Sequence, residues 1–422
     1  MLKFFPATRH LSGLLRPLLL IALRGLNTAA KFALALYTAR FLGLSELGIY
    51  GLIVAVVTML PAFAGLGTMD WLVRQVAGLP TAKAAPMMVT RLAMVLAFHL
   101  VFQPIAISLN LAFDAPVPWS LVALLSLISV ADHLASDVGE LLTFRGRALL
   151  SNILLFVRAG LWPIAVIGWG LFDPAARTLE CLLIGWLAGL ILMWAIFLAF
   201  VAQRGRWRFI KFDWSTMKTG VRRSVPFYIK DISIAVNLYL DRFLVSLFLG
   251  LELTGVYTFF WSIANVIHTL ALFGTFQPHV AKLLEAGRGR LQDFYALLKR
   301  VGIETGGFAV VMAAGLALLV PYLLPYLDRP LLSSHIAVFG LVIVATLLKL
   351  AGDCYNYVLL AFHQDRAIVM IALAAIPLSA LLNALMLPHW GLAGAATAYL
   401  LTSAMLLGAR LFVGRSLAAV MA

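Results

Sequence analysis

Apolar runs of twenty or more residues, each ended by a short polar stretch, recur along almost the whole chain. A helix needs about 20 residues to cross the roughly 30 Å hydrocarbon layer of a bilayer. On that ruler the pattern predicts about twelve spans, six at roughly 14–39, 47–68, 87–112, 117–142, 149–171 and 179–201. The other six fall at roughly 225–249, 255–277, 301–326, 334–360, 367–387 and 391–413. The expected fold is an all-α polytopic membrane protein. Two six-helix bundles, 1–201 and 225–422, are joined by a basic linker, 202–224.

One ten-residue phrase occurs twice. Phe41 to Tyr50 reads FLGLSELGIY and Phe248 to Tyr257 reads FLGLELTGVY, six of the ten positions being identical without a gap. Matched leucines mean little in so apolar a chain, but the pairs Gly43 with Gly250, Gly48 with Gly255 and Tyr50 with Tyr257 are informative. The copies lie about half the chain apart, which reads as a duplicated architecture. With an even number of spans in each half, the repeat is parallel, its axis running along the membrane normal.

Composition agrees with the pattern, since 63% of the residues are hydrophobic and only 12% charged, against about 25% charged in soluble proteins. The 32 Lys and Arg against 18 Asp and Glu do not imply nucleic acid, because the cations collect in alternate loops and no soluble module is long enough to present a reading surface. The loop between the halves holds Arg204, Arg206, Arg208, Lys211, Lys218, Arg222 and Arg223, whereas the loops of the opposite side hold only Arg40, Arg177 and Arg329. Both termini are therefore expected in the cytoplasm. Trp207, Phe209, Phe212 and Trp214 among those linker cations suit a segment lying on anionic lipid headgroups. A positive-inside loop with interfacial aromatics would look the same. In the loop 279–300, LQDFYALLKR suggests a short interfacial helix. Cys181 and Cys354 lie in apolar runs without metal-type spacing and read as small buried hydrophobes.

Ionisable side chains at membrane depth cost about 2.5–3.5 kcal/mol each on insertion scales and normally face a protein interior or a wet cavity. The first span carries Arg24, Asn27 and Lys31 on one face, with Arg24 and Lys31 seven residues apart and so close on the helical wheel. Its counterpart, the seventh span, carries Lys230, Asp231, Asn237, Asp241 and Arg242. Lys230, Asn237 and Asp241 share a face of mixed sign, so the halves are not chemically equivalent. The tenth span has Lys349 and Asp353 at i, i+4, an internal ion-pair spacing, with Asn356 beyond them. Asp132, His133, Asp137 and Glu140 lie in the fourth span, the last two placed to pair with Arg145 or Arg147. Arg158 sits in the middle of the fifth. Arg91, near the end of the third, has the position of a snorkelling side chain, and His99 with Gln103 that of interhelical hydrogen-bonding glue.

No enzyme motif is present: H-E-x-x-H, the P-loop, a strand-to-helix G-x-G-x-x-G and G-x-S-x-G are all missing. The short outward loops exclude a large periplasmic catalytic domain. No cofactor is expected. Asp132, Asp241 and Asp353 are candidate sites for coupling to an H+ or Na+ gradient.

The chain resembles the polysaccharide-type members of the multidrug/oligosaccharidyl-lipid/polysaccharide exporter superfamily, the lipid-linked O-antigen and capsule repeat-unit flippases. Three patches carry the likeness: the duplicated phrase, GLGTMDWLVRQVA from Gly65 to Ala77, and LLNALMLPHWGLAGAATAYLLT from Leu381 to Thr402. The acidic position of the repeat slips, Glu46 preceding Gly48 by two residues and Glu252 preceding Gly255 by three.

The resemblance implies two six-helix bundles around a central cavity lined by the first and seventh helices, working by alternating access in the bacterial inner membrane. It implies a polyprenyl-pyrophosphate-linked oligosaccharide as substrate, and other polysaccharide-assembly membrane proteins as candidate partners. Arg24 and Lys31 are then candidate ligands of the pyrophosphate, followed by Arg158 and Lys349, with Asn27, Lys230, Asn237 and Asp241 as polar cavity residues. The competing reading pairs these cations with nearby carboxylates as structural ion pairs. Two other functions stay open: an organic-cation antiporter of the same superfamily, against which the cationic first helix argues, and a non-transporting scaffold, for which buried charges would be an unexplained cost.

Overall fold

The computed structural model describes residues 15–76, 79–112, 119–203, 212–287 and 291–421. In chain order the helices are α1 (Leu15–Tyr37), α2 (Leu44–Ala64), α3 (Thr68–Val76), α4 (Thr81–Ala112), α5 (Trp119–Phe144), α6 (Ala148–Phe156), α7 (Trp162–Phe172) and α8 (Leu179–Ala202). They continue as α9 (Trp214–Arg223), α10 (Val225–Leu249), α11 (Leu251–Ala271), α12 (Val280–Ala286), α13 (Leu291–Leu323), α14 (Pro330–Ser334), α15 (Ile336–Ala361) and α16 (Asp365–Met421). The π-helical turns Thr38–Leu42, Val157–Leu161 and Leu272–Phe276 interrupt or extend them. No strand occurs among the described residues.

Among the described residues, ten helical segments are long and apolar enough to cross a membrane. The last of these is two helices joined at Gly391, whose φ of 54° and ψ of −134° break the helix. The 23-residue α1, with Arg24 and Lys31 inside it, is a further segment of spanning length. Side chains such as Phe172, Val311, Leu318 and Phe412 stay exposed, as a lipid-facing surface requires. The protein is a multi-pass α-helical membrane protein.

The chain divides into two compact units, Met1–Leu34 with Ala64–Ser224, and Ala35–Phe63 with Val225–Ala422. The second predicted span, α2, thus belongs with the C-terminal helices.

In the first unit, Met69, Trp71, Leu72, Val76, Met87, Leu141 and Met217 form a buried cluster joining α3, α4, α5 and α9. The stretch GLGTMDWLVRQVA makes a tight turn, with Leu66 and Gly67 at φ 49° and 63°, that leads into α3. α9 docks on this cluster through Gly220, where a Cβ would stand 2.5 Å from the Trp71 ring. Its first turn is capped by Asp213, whose Oδ1 accepts from the Thr216 N–H at 3.1 Å. That hydrogen bond to the charged form holds the Asp213 carboxyl below its ordinary range. Arg204, Arg206, Trp207, Arg208, Phe209 and Lys211 of the basic linker lie outside the described residues.

In the second unit the two copies of the repeated phrase meet. Gly43 and Gly250, the first glycine of each copy, stand just before α2 and α11 at φ 112° and 81°, values that L side chains rarely adopt. The second glycines serve close approach. A Cβ on Gly48 would strike the Leu251 carbonyl oxygen, and a Cβ on Gly255 the Leu44 carbonyl oxygen. One turn on, Gly51 faces its own sequence equivalent, Thr258. Arg329 closes the same end, donating from Nε to the Ala39 carbonyl at 3.0 Å and from Nη2 to the Arg40 carbonyl at 3.1 Å. Those are carbonyls that a helix end otherwise leaves without partners.

The expectation of a separate interfacial helix at LQDFYALLKR is corrected: these residues are the opening turns of the 33-residue α13. Phe294 is buried there against Phe362 and in one cluster with Phe276. Its apolar side faces protein.

Candidate functional site

Within the first unit, the polar face of α1 is tied to α6 by a hydrogen bond and lies within electrostatic range of Asp132 on α5. Arg24 Nε donates to Asn152 Oδ1 at 3.0 Å, and Asn152 Nδ2 is in turn fixed on the Ala148 carbonyl at 2.8 Å. One turn on, Asn27 Oδ1 lies 3.1 Å from where a Gly160 Cβ would be, and this buried oxygen has no hydrogen-bond partner. Gly160 and Arg158 both belong to the π turn Val157–Leu161, a distortion that often marks functional sites because it re-aims side chains. Arg158 Nη1 reaches Asp132, donating to its carboxylate at 2.9 Å and its carbonyl at 3.0 Å.

Lys31 is exposed and stands within electrostatic range of Asp132 and Arg158. It makes no hydrogen bond or ion pair to any described residue. Arg24, Asn27, Lys31, Asp132 and Arg158, singled out from sequence, are therefore neighbours in the fold. Three of them are cations and one a carboxylate, and that carboxylate is engaged by Arg158. Asn152 was missed; an uncharged residue in an apolar run gives no signal by itself.

Deeper in this unit, a second cluster corrects two expectations. Arg91 does not snorkel: it is 2% exposed, with Nε donating to Asp137 Oδ2 at 3.0 Å. Its Nη1 donates to the Gly65 carbonyl and Thr68 Oγ1, fixing the turn before α3. Asp137 accordingly pairs with Arg91, whereas Arg145 donates to the Val76 and Leu79 carbonyls. His99 does act as interhelical glue, with Nε2 3.0 Å from His133 Nδ1, and Gln103 donates to the Ser126 carbonyl at 3.4 Å.

The second unit holds a cavity of about 300 Å³ among α10, α15 and α16. Asn237, Asp241, Lys349 and Asp353 line it, so these sequence candidates do converge. Lys230 does not: it pairs with Asp231 at 3.3 Å and is absent from the lining. Asp353 is the hub. Its Oδ2 accepts from Lys349 at 2.6 Å and contacts His268 Nε2 at 2.9 Å, while its Oδ1 accepts from Arg410 at 3.2 Å. The ion-pair reading of Lys349 and Asp353 is thus realised. Asp241 accepts from the Tyr257 hydroxyl at 2.6 Å. Its neighbour Arg242 is buried with its guanidinium 3.9 Å from the Trp261 ring centroid. His268 and Arg410 were missed, although each is an ionisable residue inside an apolar run.

No group of His, Cys, Asp or Glu able to hold a metal ion occurs among the described residues. An inward-facing multidrug-resistance MATE family transporter of the MOP superfamily superposes with a TM-score of 0.70 at 15% identity, covering 95% of this chain and 97% of that one. The MATE multidrug transporter DinF-BH gives 0.65 at 15%, covering 96% of each. A MOP superfamily transporter from Pyrococcus furiosus, described by a reverse polarity of its binding pocket, gives 0.60 at 12%, covering 95% and 94%. At such identities these likenesses establish a MATE-like fold. No curated protein sequence matches the chain significantly. The model of the family described as polysaccharide biosynthesis protein matches residues 17–275, well over half of the sequence, and the chain belongs to that family.

Proposed function

We propose that this protein is a flippase that moves a polyprenyl-pyrophosphate-linked oligosaccharide from the cytoplasmic to the outer leaflet of the bacterial inner membrane by alternating access. The observation that carries the reading is Lys31, a lysine of α1 that makes no hydrogen bond or close ion pair with a described carboxylate and lies within electrostatic range of Asp132 and Arg158, on the same helix as Arg24. Such an arrangement is costly empty. It suits a polyanionic headgroup, since opposite unit charges about 4 Å apart attract by about 4 kcal/mol at an effective dielectric near 20. The polysaccharide biosynthesis family supplies the substrate class, and the MATE-like fold supports a transport mechanism. Coupling to an H+ or Na+ gradient belongs to the same proposal. Of its three acidic candidates, Asp132 and Asp353 are held by cations, which leaves Asp241 the least compensated.

The test is reconstitution of the purified protein in liposomes. A polyprenyl-pyrophosphate oligosaccharide placed in one leaflet is assayed for access from the other, with efflux of a cationic dye followed in parallel. Glycolipid movement without dye efflux is expected. Dye efflux without glycolipid movement would replace the flippase with a cation antiporter.

A further inference from the structure

We infer that the cavity of the second unit is a binding site for the sugar part of the substrate, taking an uncharged, polyhydroxylated ring. The inference rests on the flippase reading and deepens it by giving the glycan a site of its own within the second unit.

The charges on the cavity wall balance: Lys349 and Arg410 stand against Asp241 and Asp353. Both cations already contact Asp353. A pyrophosphate entering here would meet two carboxylates and no uncommitted lysine, so a polyanion is disfavoured. A cation would meet Lys349 and Arg410. The wall is more apolar than polar, and among its aliphatic side chains stand the uncharged polar groups of Asn237, Asn356, Ser379, Tyr399 and Thr402. That mixture of hydroxyls, amides, an aromatic ring and apolar patches matches a pyranose, which presents hydroxyls around its rim and C–H groups on its faces. A polyprenyl tail would leave Asn237 Oδ1, Asn356 Oδ1 and Thr402 Oγ1 unpaired, at about 1–3 kcal/mol for each buried group.

Three of these lining residues carry unsatisfied polar atoms. Asn237 Oδ1, Asn356 Oδ1 and Thr402 Oγ1 are buried and have no hydrogen-bond partner, and Thr402 as a whole is 7% exposed. Buried polar atoms are nearly always paired, and sugar hydroxyls, which donate and accept, are the partners such a set fits. The volume of about 300 Å³ lies at the small end of ligand sites. It limits the site to about one or two sugar units, so the inference concerns the end of a glycan and not its full length.

The experiment is saturation-transfer NMR on the full-length protein in nanodiscs. The probes are the neutral disaccharides maltose and N,N′-diacetylchitobiose, with glycan-free undecaprenyl pyrophosphate as a separate ligand. At least one disaccharide is expected to give a specific signal with the wild type. Thr402→Val, which keeps the shape and removes the hydroxyl, and Asn356→Leu are each expected to weaken it by about fivefold, one hydrogen bond's worth. Binding of undecaprenyl pyrophosphate should be unchanged in both variants. A disaccharide signal unaltered in both variants would overturn the site. Absence of any disaccharide signal, with undecaprenyl pyrophosphate still bound, would overturn the glycan site and leave the flippase reading standing. If neither class of ligand bound, both readings would fail.

Discussion

Gly48 of α2 and Gly255 of α11 lie against each other, each filling the space under the first turn of the other's helix, with a Cβ position on Gly48 only 3.0 Å from the Gly255 nitrogen. They are the same position in the two copies of the duplicated phrase. The repeat therefore crosses itself, backbone on backbone, and small residues are what such a crossing in a membrane requires.

Gly48→Ala and Gly255→Ala should each force α2 and α11 apart, because the obstruction is a main-chain carbonyl that cannot rotate away. A loss of about 1–3 kcal/mol is expected for each, read as a lowered midpoint of thermal unfolding in detergent. Since both act at one crossing, the double variant should lose less than the sum. Gly25→Ala, whose Cβ would meet nothing within 4 Å, serves as the neutral control.

Arg91 should prove structural. Replacement by Met leaves Asp137 buried without its cation and removes the guanidinium's hydrogen bonds to the Gly65 carbonyl and Thr68 Oγ1. Removing one partner of a buried pair costs about 3–5 kcal/mol, so little folded protein should be recovered in detergent by size-exclusion chromatography. Lys in its place should rescue only part, because an ammonium cannot reproduce the fork that reaches Asp137, Gly65 and Thr68 together.

The Asp353 hub should show the signature of a coupled network. Asp353→Asn leaves Lys349 and Arg410 facing each other, and Lys349→Met leaves Asp353 with Arg410 and His268. Each should cost about 1–3 kcal/mol, below the fully buried range because these side chains keep some solvent access. The apolar pair Lys349→Met with Asp353→Leu should cost less than the two single changes together.

Docking of α9 should depend on pH through Asp213. Its carboxyl has a lower pKa folded than unfolded, chiefly because the Thr216 backbone N–H donates to it. The stabilisation is therefore present above the unfolded value, about 3.9, and is lost as pH falls through the folded value. Asp213→Ala should lower the opening free energy of residues 214–223 by about 1 kcal/mol at neutral pH, measured by hydrogen exchange. The gap between variant and wild type should close under acid.

The spans, the duplication and the glycine pairs were legible because hydrophobic length and repeated small residues are local signals. The backbone that each glycine touches was not, since Leu251 is about two hundred residues from Gly48. Lys349 with Asp353 could be read as a pair from their i, i+4 spacing. Arg410 joins the same carboxylate from 57 residues away, a distance that spacing cannot bridge. Arg91 misled for the same reason: a cation near a helix end looks ready to snorkel until Asp137, 46 residues on, captures it. LQDFYALLKR misled because one apolar stripe serves an interfacial helix and a helix end packed on Phe362 equally well. The cationic face of α1 was visible, but its support by Asn152 and the π turn at Arg158 is a property of the fold.

The most direct measurement is the initial rate of glycolipid exchange between leaflets in liposomes for wild type, Lys31→Met and Lys31→Arg, at equal amounts of folded protein. Loss of one cation from the headgroup site should slow Lys31→Met by at least about tenfold, the equivalent of about 1.4 kcal/mol, with Lys31→Arg near the wild-type rate. A wild-type rate in Lys31→Met would contradict a role for this lysine in holding the pyrophosphate.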